Sequence, residues 1–259
     1  MPTLNKLDVK KIGPIMWQPK KLETKINRLD FSSSGQKPED FTELWADGVK
    51  ICNGIELSNW EEDPIQLIVC DSCGNVQCNS GNWLSPRNAG EYILFIPAFQ
   101  KMNKGSWEQD EYAPPFYMEK SGIILFDKIE YASLRSIVTK LPSHGELKNL
   151  TSTEAICLFQ WEAPLKVLGK YPDSIHFRKE FFLGSNQESD QQVNTDLEII
   201  LEKTAKSTTE VILKKPIEGH DEIVFLLEDE KFEVWQPLIR EKGQYKLFIS
   251  SMFIIEELS

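Results

Sequence analysis

Histidine is scarce in this chain. Its 259 residues hold three, His144, His176 and His220, in separate segments. A centre built on several neighbouring imidazoles is excluded, and no H-E-x-x-H pair occurs. Long apolar runs are missing as well. Residues 92–99 and 223–227, among the longest, fall far short of the roughly 20 residues a membrane-crossing helix needs. The opening MPTLNKLDVKKIG has no apolar h-region, which leads to the expectation of no signal peptide. There is no G-x-S-x-G, no G-x-G-x-x-G, no phosphate loop ending in Gly-Lys-Ser/Thr and no calcium loop, so the familiar hydrolase and nucleotide signatures are absent. No internal repeat or low-complexity tract is present.

Positive charge is also in deficit. Against 40 Asp+Glu stand 29 Lys+Arg, a net charge of −11. The deficit is uneven: residues 1–28 carry seven basic residues against Asp8 and Glu23, so a strip of +5 adjoins a body of −16. Such a body repels phosphate backbones and anionic bilayers, because binding there requires clustered cations. Neither nucleic acid nor membrane is an expected partner. The basic strip alternates with Ile12, Ile15, Met16 and Trp17, and reads as a strand with solvated lysines rather than an anion anchor. With 41% hydrophobic and 27% charged residues, the composition is that of an ordinary globular chain, long enough to bury a core without staples.

Five cysteines are present: Cys52, Cys70, Cys73, Cys78 and Cys157. Without an export signal the expected compartment is the reducing cytoplasm, where grouped cysteines point to metal or redox chemistry rather than disulfides. Three fall within the run VCDSCGNVQC. Cys70-x2-Cys73-Gly74 has the form of a zinc knuckle, in which glycine takes a positive φ and lets backbone N–H groups face the sulfurs. Cys78 supplies a third thiolate. The fourth ligand has to come from elsewhere, with Cys52 the nearest candidate and Cys157, His144, His176 or His220 as alternatives. The candidate metal set is therefore Cys70, Cys73, Cys78 and Cys52, with structural zinc as the expected cofactor. Two other readings stand beside it. A redox pair opens a helix, whereas Gly74-Asn75 makes a turn here. Three free cysteines closing a strand is the plainer alternative. An iron–sulfur cluster lacks a fourth thiolate at a recognised spacing.

Three strings, CDSCGNVQCNSGNW, SPRNAGEYILFIPAF and LTSTEAICLFQWEAPLKVLG, together resemble a bacterial protein family of unknown function with a CxxCG zinc-ribbon-like knuckle. The resemblance implies a bacterial, cytosolic protein and says nothing about catalysis.

The expected fold class is α+β, with mostly antiparallel sheets at both ends and a few helices between. Strands are expected over residues 13–17, 49–57, 65–70, 92–96 and 122–126, with 49–57 pairing with 65–70. Asp127 with Glu130, and Thr151 with Glu154, have the spacing of helix caps; the first helix is expected to run to Leu141 and the second to be apolar all round. Residues 184–192 (GSNQESDQQ) look like a linker. The expected domains are therefore residues 1–183, containing the cysteine motif, and residues 193–259, a helix and four-stranded meander packed on the first. In the meander lobe a helix over 196–206 precedes strands at 210–214, 222–227, 232–235 and 245–255.

One loop has the composition of a binding surface. Residues 101–117 place Trp107, Tyr112, Phe116 and Tyr117 among Glu108, Asp110 and Glu111, rigid aromatics rimmed by negative charge. Aromatics that merely cover the core would look the same. Trp83 and Arg87 are a lesser candidate pair. The acidic turn Glu61-Glu62-Asp63 with Asp71 reads as a solvated turn rather than a cation site. Taken together, acidity, the aromatic loop and the missing catalytic motifs favour a non-enzymatic protein-interaction module of immunity type, with a basic protein partner. The alternative is an enzyme working through a metal or thiolate at the cysteines.

Overall fold

The computed structural model describes residues 3–4, 15–17, 19–31, 37–78, 81–99, 113–138, 141, 144–162, 181–183, 188–214, 221–227, 232–241, 244–247 and 254–257. The chain is α+β with chiefly antiparallel sheets. It forms two compact units, each drawn from separate stretches: Gln18–Ala98 with Asp110–Glu146, and Met1–Trp17 with Phe99–Gln109 and Leu147–Ser259. Among the described residues no helix is long and apolar enough to cross a membrane.

The unit built on Gln18–Ala98 contains two sheets. In the smaller, strand Leu22–Leu29 pairs antiparallel with Glu39–Ala46, which pairs in turn with Val49–Cys52. Asp47 and Gly48, at φ 46° and 80°, make the tight reversal that twisted hairpins favour. The outer strand is mostly exposed, and Lys25 Nζ lies 3.6 Å from the centre of the Trp45 ring. In the larger sheet, Trp83–Ala89, Tyr92–Pro97 and Ile124–Asp127 are consecutive antiparallel neighbours. Ile65–Gln66 and Gly145–Glu146 also pair with Trp83–Ala89. Every residue of Tyr92–Pro97 is buried, and Phe95 meets the Phe126 and Tyr131 rings edge-on at 5.3 and 5.9 Å. Each such aromatic contributes roughly 2–3 kcal/mol through burial.

Two expectations are corrected in this unit. Residues 65–70 were expected to be one strand paired with the strand carrying Cys52. Only Ile65–Gln66 is strand, its partner is Trp83–Ala89, and Val49–Cys52 pairs with Glu39–Ala46. The backbone groups of Val69 instead meet a side chain: Asn53 Nδ2 donates to the Val69 carbonyl at 2.9 Å, and the Val69 N–H donates to Asn53 Oδ1 at 2.8 Å. The helix after Asp127 is also shorter than its spacing suggested. Asp127 caps it as expected, accepting from Ile129 N at 2.8 Å and Glu130 N at 3.3 Å. The α-helix Lys128–Ala132 then tightens into a 3-10 turn, Ser133–Ser136, where Ser133 and Ser136 hydroxyls donate to the carbonyls of Glu130 and Ser133 and compete with helix bonding.

In the other unit, helix Ser152–Glu162 begins with the expected reciprocal cap. The Thr151 N–H donates to Glu154 Oε2 at 2.9 Å, and the Glu154 N–H to Thr151 Oγ1 at 3.1 Å. Ser152 through Phe159 are all buried. The next helix is Glu188–Ser207, so residues 188–192 are helical rather than linker. Val193 extends the buried face of Leu197, Ile200, Leu201 and Thr204, and Gln192 Nε2 donates to Asp196 Oδ1 one turn on. The meander that follows is antiparallel but has five strands where four were expected: Thr208–Lys214, Asp221–Leu227, Phe232–Glu241, Gln244–Leu247 and Ile254–Glu257. The last two both pair with Phe232–Glu241.

Candidate metal centre

The cysteine motif stands directly after the Asn53–Val69 bond pair. Beyond Val69 the chain closes a turn in which the Gly74 N–H donates to the Cys70 carbonyl at 2.8 Å and the Cys70 N–H to the Asn75 carbonyl at 3.1 Å. Asp71 is fixed by Asn53 Nδ2, which donates to its Oδ1 at 2.9 Å. Gly74 has φ +71°, the left-handed conformation that favours glycine. Space favours glycine too, because a Cβ there would stand 3.1 Å from Cζ of Phe31 and the ring would have to give way by a few tenths of an ångström. Phe31 belongs to a small buried cluster with Leu29, Phe41 and Val69, its ring 5.4 Å from that of Phe41. The knuckle is thus seated on this small buried cluster of its own unit. A 3-10 turn, Val76–Cys78, then carries the third cysteine back toward the first two.

The three Sγ atoms of Cys70, Cys73 and Cys78 lie within 4.8 Å of one another, the one such group of metal-ligating side chains among the described residues. Sulfurs at about 2.3 Å on a tetrahedral zinc ion stand about 3.8 Å apart. The observed envelope fits that spacing, with Cys73 and Cys78, now 3.1 Å apart, opening by a fraction of an ångström. Backbone N–H groups of Ser72 and Cys73 bond to Cys70 and hold its thiol below the usual range. Cys78 is pushed up to about 11, chiefly by its hydrogen bond with Cys73 and further by burial and by repulsion from the neighbouring sulfurs. Negative charge therefore accumulates on the cluster at rising cost, and a divalent cation relieves that cost.

Cys52 is not brought to this group. It is fully buried, its Sγ is 3.7 Å from Ser58 Oγ, and burial pushes its thiol up to about 12. Cys157 is buried within Ser152–Glu162 and His144 is hydrogen-bonded with Tyr131, while His176 and His220 lie outside the described residues. Arg87 pairs with Asp63 at 2.7 Å and donates to its neighbour's carbonyl, a structural arrangement. Of the aromatic loop, Trp107 and Tyr112 lie outside the described residues. Phe116 is 71% exposed, whereas the Tyr117 hydroxyl donates to the Ile51 carbonyl at 3.3 Å. Asn53 and Phe31, which hold the knuckle in place, have no local sequence signal.

These features define an α+β protein with a three-cysteine knuckle. Comparison with protein-family models, curated proteins and solved structures finds no match. The bacterial resemblance of the three strings therefore adds neither fold nor function.

Proposed function

We propose that Cys70, Cys73 and Cys78 hold a zinc ion as a structural brace, and that the braced chain is a non-enzymatic module that binds a basic protein in the cytoplasm. The observation that carries the metal reading is the convergence of three thiols on a turn whose backbone N–H groups face Cys70. Zinc suits an all-sulfur donor set, and a metal-braced turn seated on Phe31 would rigidify the region around it. The partner reading is supported by the net charge of −11 and by an exposed aromatic, Phe116, that follows a sequence stretch rich in acidic residues. An immunity-type role, neutralising a basic partner, is the specific form of this reading. Elemental analysis of purified protein tests the metal: about one equivalent of zinc is expected, lost on Cys70→Ser or Cys73→Ser. Less than about a tenth of an equivalent, with freely titrating thiols, overturns it. Titration with basic proteins tests the partner, and absence of salt-sensitive binding at about 10 μM overturns that half.

One observation favours a second reading. Only three ligands converge among the described residues, and a zinc ion with three protein ligands keeps a position for water or substrate. X-ray absorption of the zinc protein separates the two: four protein donors indicate a brace, three plus a light exchangeable atom a reactive centre.

A further inference from the structure

The unit that carries the knuckle also contains a cavity of about 480 Å³, which falls in the range of small-ligand sites. It opens beside the helix Lys128–Ala132, and among the described residues its polar lining consists of Asn88, Lys128, Tyr131, Arg135, His144 and Glu146. Ile93, Ala132 and Leu141 supply an apolar wall of similar extent. The lining is built rather than incidental. His144 is 5% exposed, its backbone carbonyl accepts from the Asn88 amide, and its Nε2 is 2.7 Å from the Tyr131 hydroxyl. Its other ring nitrogen, Nδ1, is buried with no hydrogen-bond partner among the described residues. A buried ring nitrogen without a partner is uncommon in a folded protein, and here it belongs to a residue that lines a cavity.

Charge decides the kind of molecule that fits. In a chain with net charge −11 this lining is locally positive, because Lys128 and Arg135 outnumber Glu146. Arg135 is exposed at the cavity and has no ion-pair partner among the described residues. Among the described residues the Lys128 ammonium donates to the Gly90 carbonyl alone, at 3.3 Å. Burial keeps His144 neutral near pH 7, so the ring presents one donor and one acceptor rather than a further charge. A doubly charged phosphate ester would face Glu146 with charge unbalanced, whereas a monoanion matches the excess of one cation.

We propose that this cavity binds a small organic monocarboxylate. Its charge lies against Arg135 and Lys128, and its apolar body packs on Ile93, Ala132 and Leu141 beside the His144 ring. The site is independent of the cysteine cluster and needs no metal.

The test uses the full chain labelled with 15N-histidine, in which His176→Gln and His220→Gln variants identify the other two imidazoles and leave His144 in place. Sodium benzoate and sodium isovalerate are titrated at neutral pH against the matched amides, with sodium chloride as the salt control. At least one acid is expected to shift the His144 nitrogens saturably with a Kd at or below about 1 mM. Its amide should bind at least about tenfold more weakly. Arg135→Gln should weaken the acid by about tenfold and leave the amide unchanged. No saturable shift with either acid up to about 10 mM overturns the proposal. Equal binding of acid and amide, or an acid indifferent to Arg135→Gln, overturns it as well.

Discussion

Asn53 pairs with Val69 as a strand would. Its side-chain amide donates to the Val69 carbonyl at 2.9 Å and accepts from the Val69 N–H at 2.8 Å. A single buried side chain thus satisfies both backbone groups of the residue before Cys70 and, through Asp71, a group beyond it. Without it two buried backbone groups have no partner, at about 1–3 kcal/mol each. Asn53→Ala is therefore expected to lower unfolding stability by about 2–4 kcal/mol and to weaken zinc binding. Asn53→Asp keeps an acceptor for the Val69 N–H but sets a buried carboxylate against the Val69 carbonyl and the Asp71 carboxylate, so at neutral pH it should destabilise at least as much as alanine. Urea titration with a parallel zinc competition assay checks the order; equal stability of wild type and Asn53→Ala would refute the latch.

Gly74 answers two demands at once, a positive φ and the close approach of Phe31. Gly74→Ala should cost about 1–2 kcal/mol for the backbone conformation, with a further steric penalty at Phe31. Phe31→Leu in the Gly74→Ala background should recover the steric part alone. A double-mutant cycle in denaturant gives the coupling, and strictly additive effects would show that the ring is not what opposes the added methyl.

Thiol chemistry should divide the five cysteines into two classes. Cys52 and Cys157 are buried, and burial raises both thiols. In metal-free native protein, iodoacetamide should modify Cys70, Cys73 and Cys78 and spare the other two until the chain unfolds. Zinc should protect the three. Peptide mapping after labelling reads this directly, and rapid labelling of Cys52 in folded protein would contradict its placement.

His144 is pushed down to about 4, mainly by burial, with Asp63 opposing that shift and Arg87 adding to it. A histidine whose folded value lies below its unfolded value of about 6.5 is protonated first in the unfolded chain. Its contribution is present above about pH 6.5 and is lost as pH falls toward 4, reaching roughly 3 kcal/mol there. Denaturation midpoints measured from pH 7 down to pH 4 should fall more steeply for wild type than for His144→Gln. Parallel curves for the two proteins would remove His144 as the cause.

What was legible along the chain was local. The caps at Asp127 and Thr151 involve atoms two or three residues apart, and both are formed. The knuckle turn is written in Cys70-x2-Cys73-Gly74, and the antiparallel meander in runs of β-branched and apolar residues. Contacts distant in sequence left no such trace. Asn53 is sixteen positions from Val69 and has the composition of a loop residue, so the expected partner of residues 65–70 was a strand. Glu188 to Gln192 read as linker because their polar side chains suit a solvated helix turn as well as a loop, and only the burial of Val193 separates the two. The cavity around His144 joins Asn88, the helix after Asp127, Leu141 and Glu146, which no single window of sequence contains.

Strand Phe232–Glu241 has a further consequence for the unit that contains it. Asp221–Leu227 occupies one side of it, and the other side is shared end to end by Gln244–Leu247 and Ile254–Glu257. The second of these closes the hydrogen-bonding groups of Phe232–Trp235 and brings Glu256 and Glu257 to that margin. An uncovered backbone margin would be a template for any foreign strand. The short return of the chain at Ile254–Glu257 thus keeps that half of the strand's margin paired within the chain.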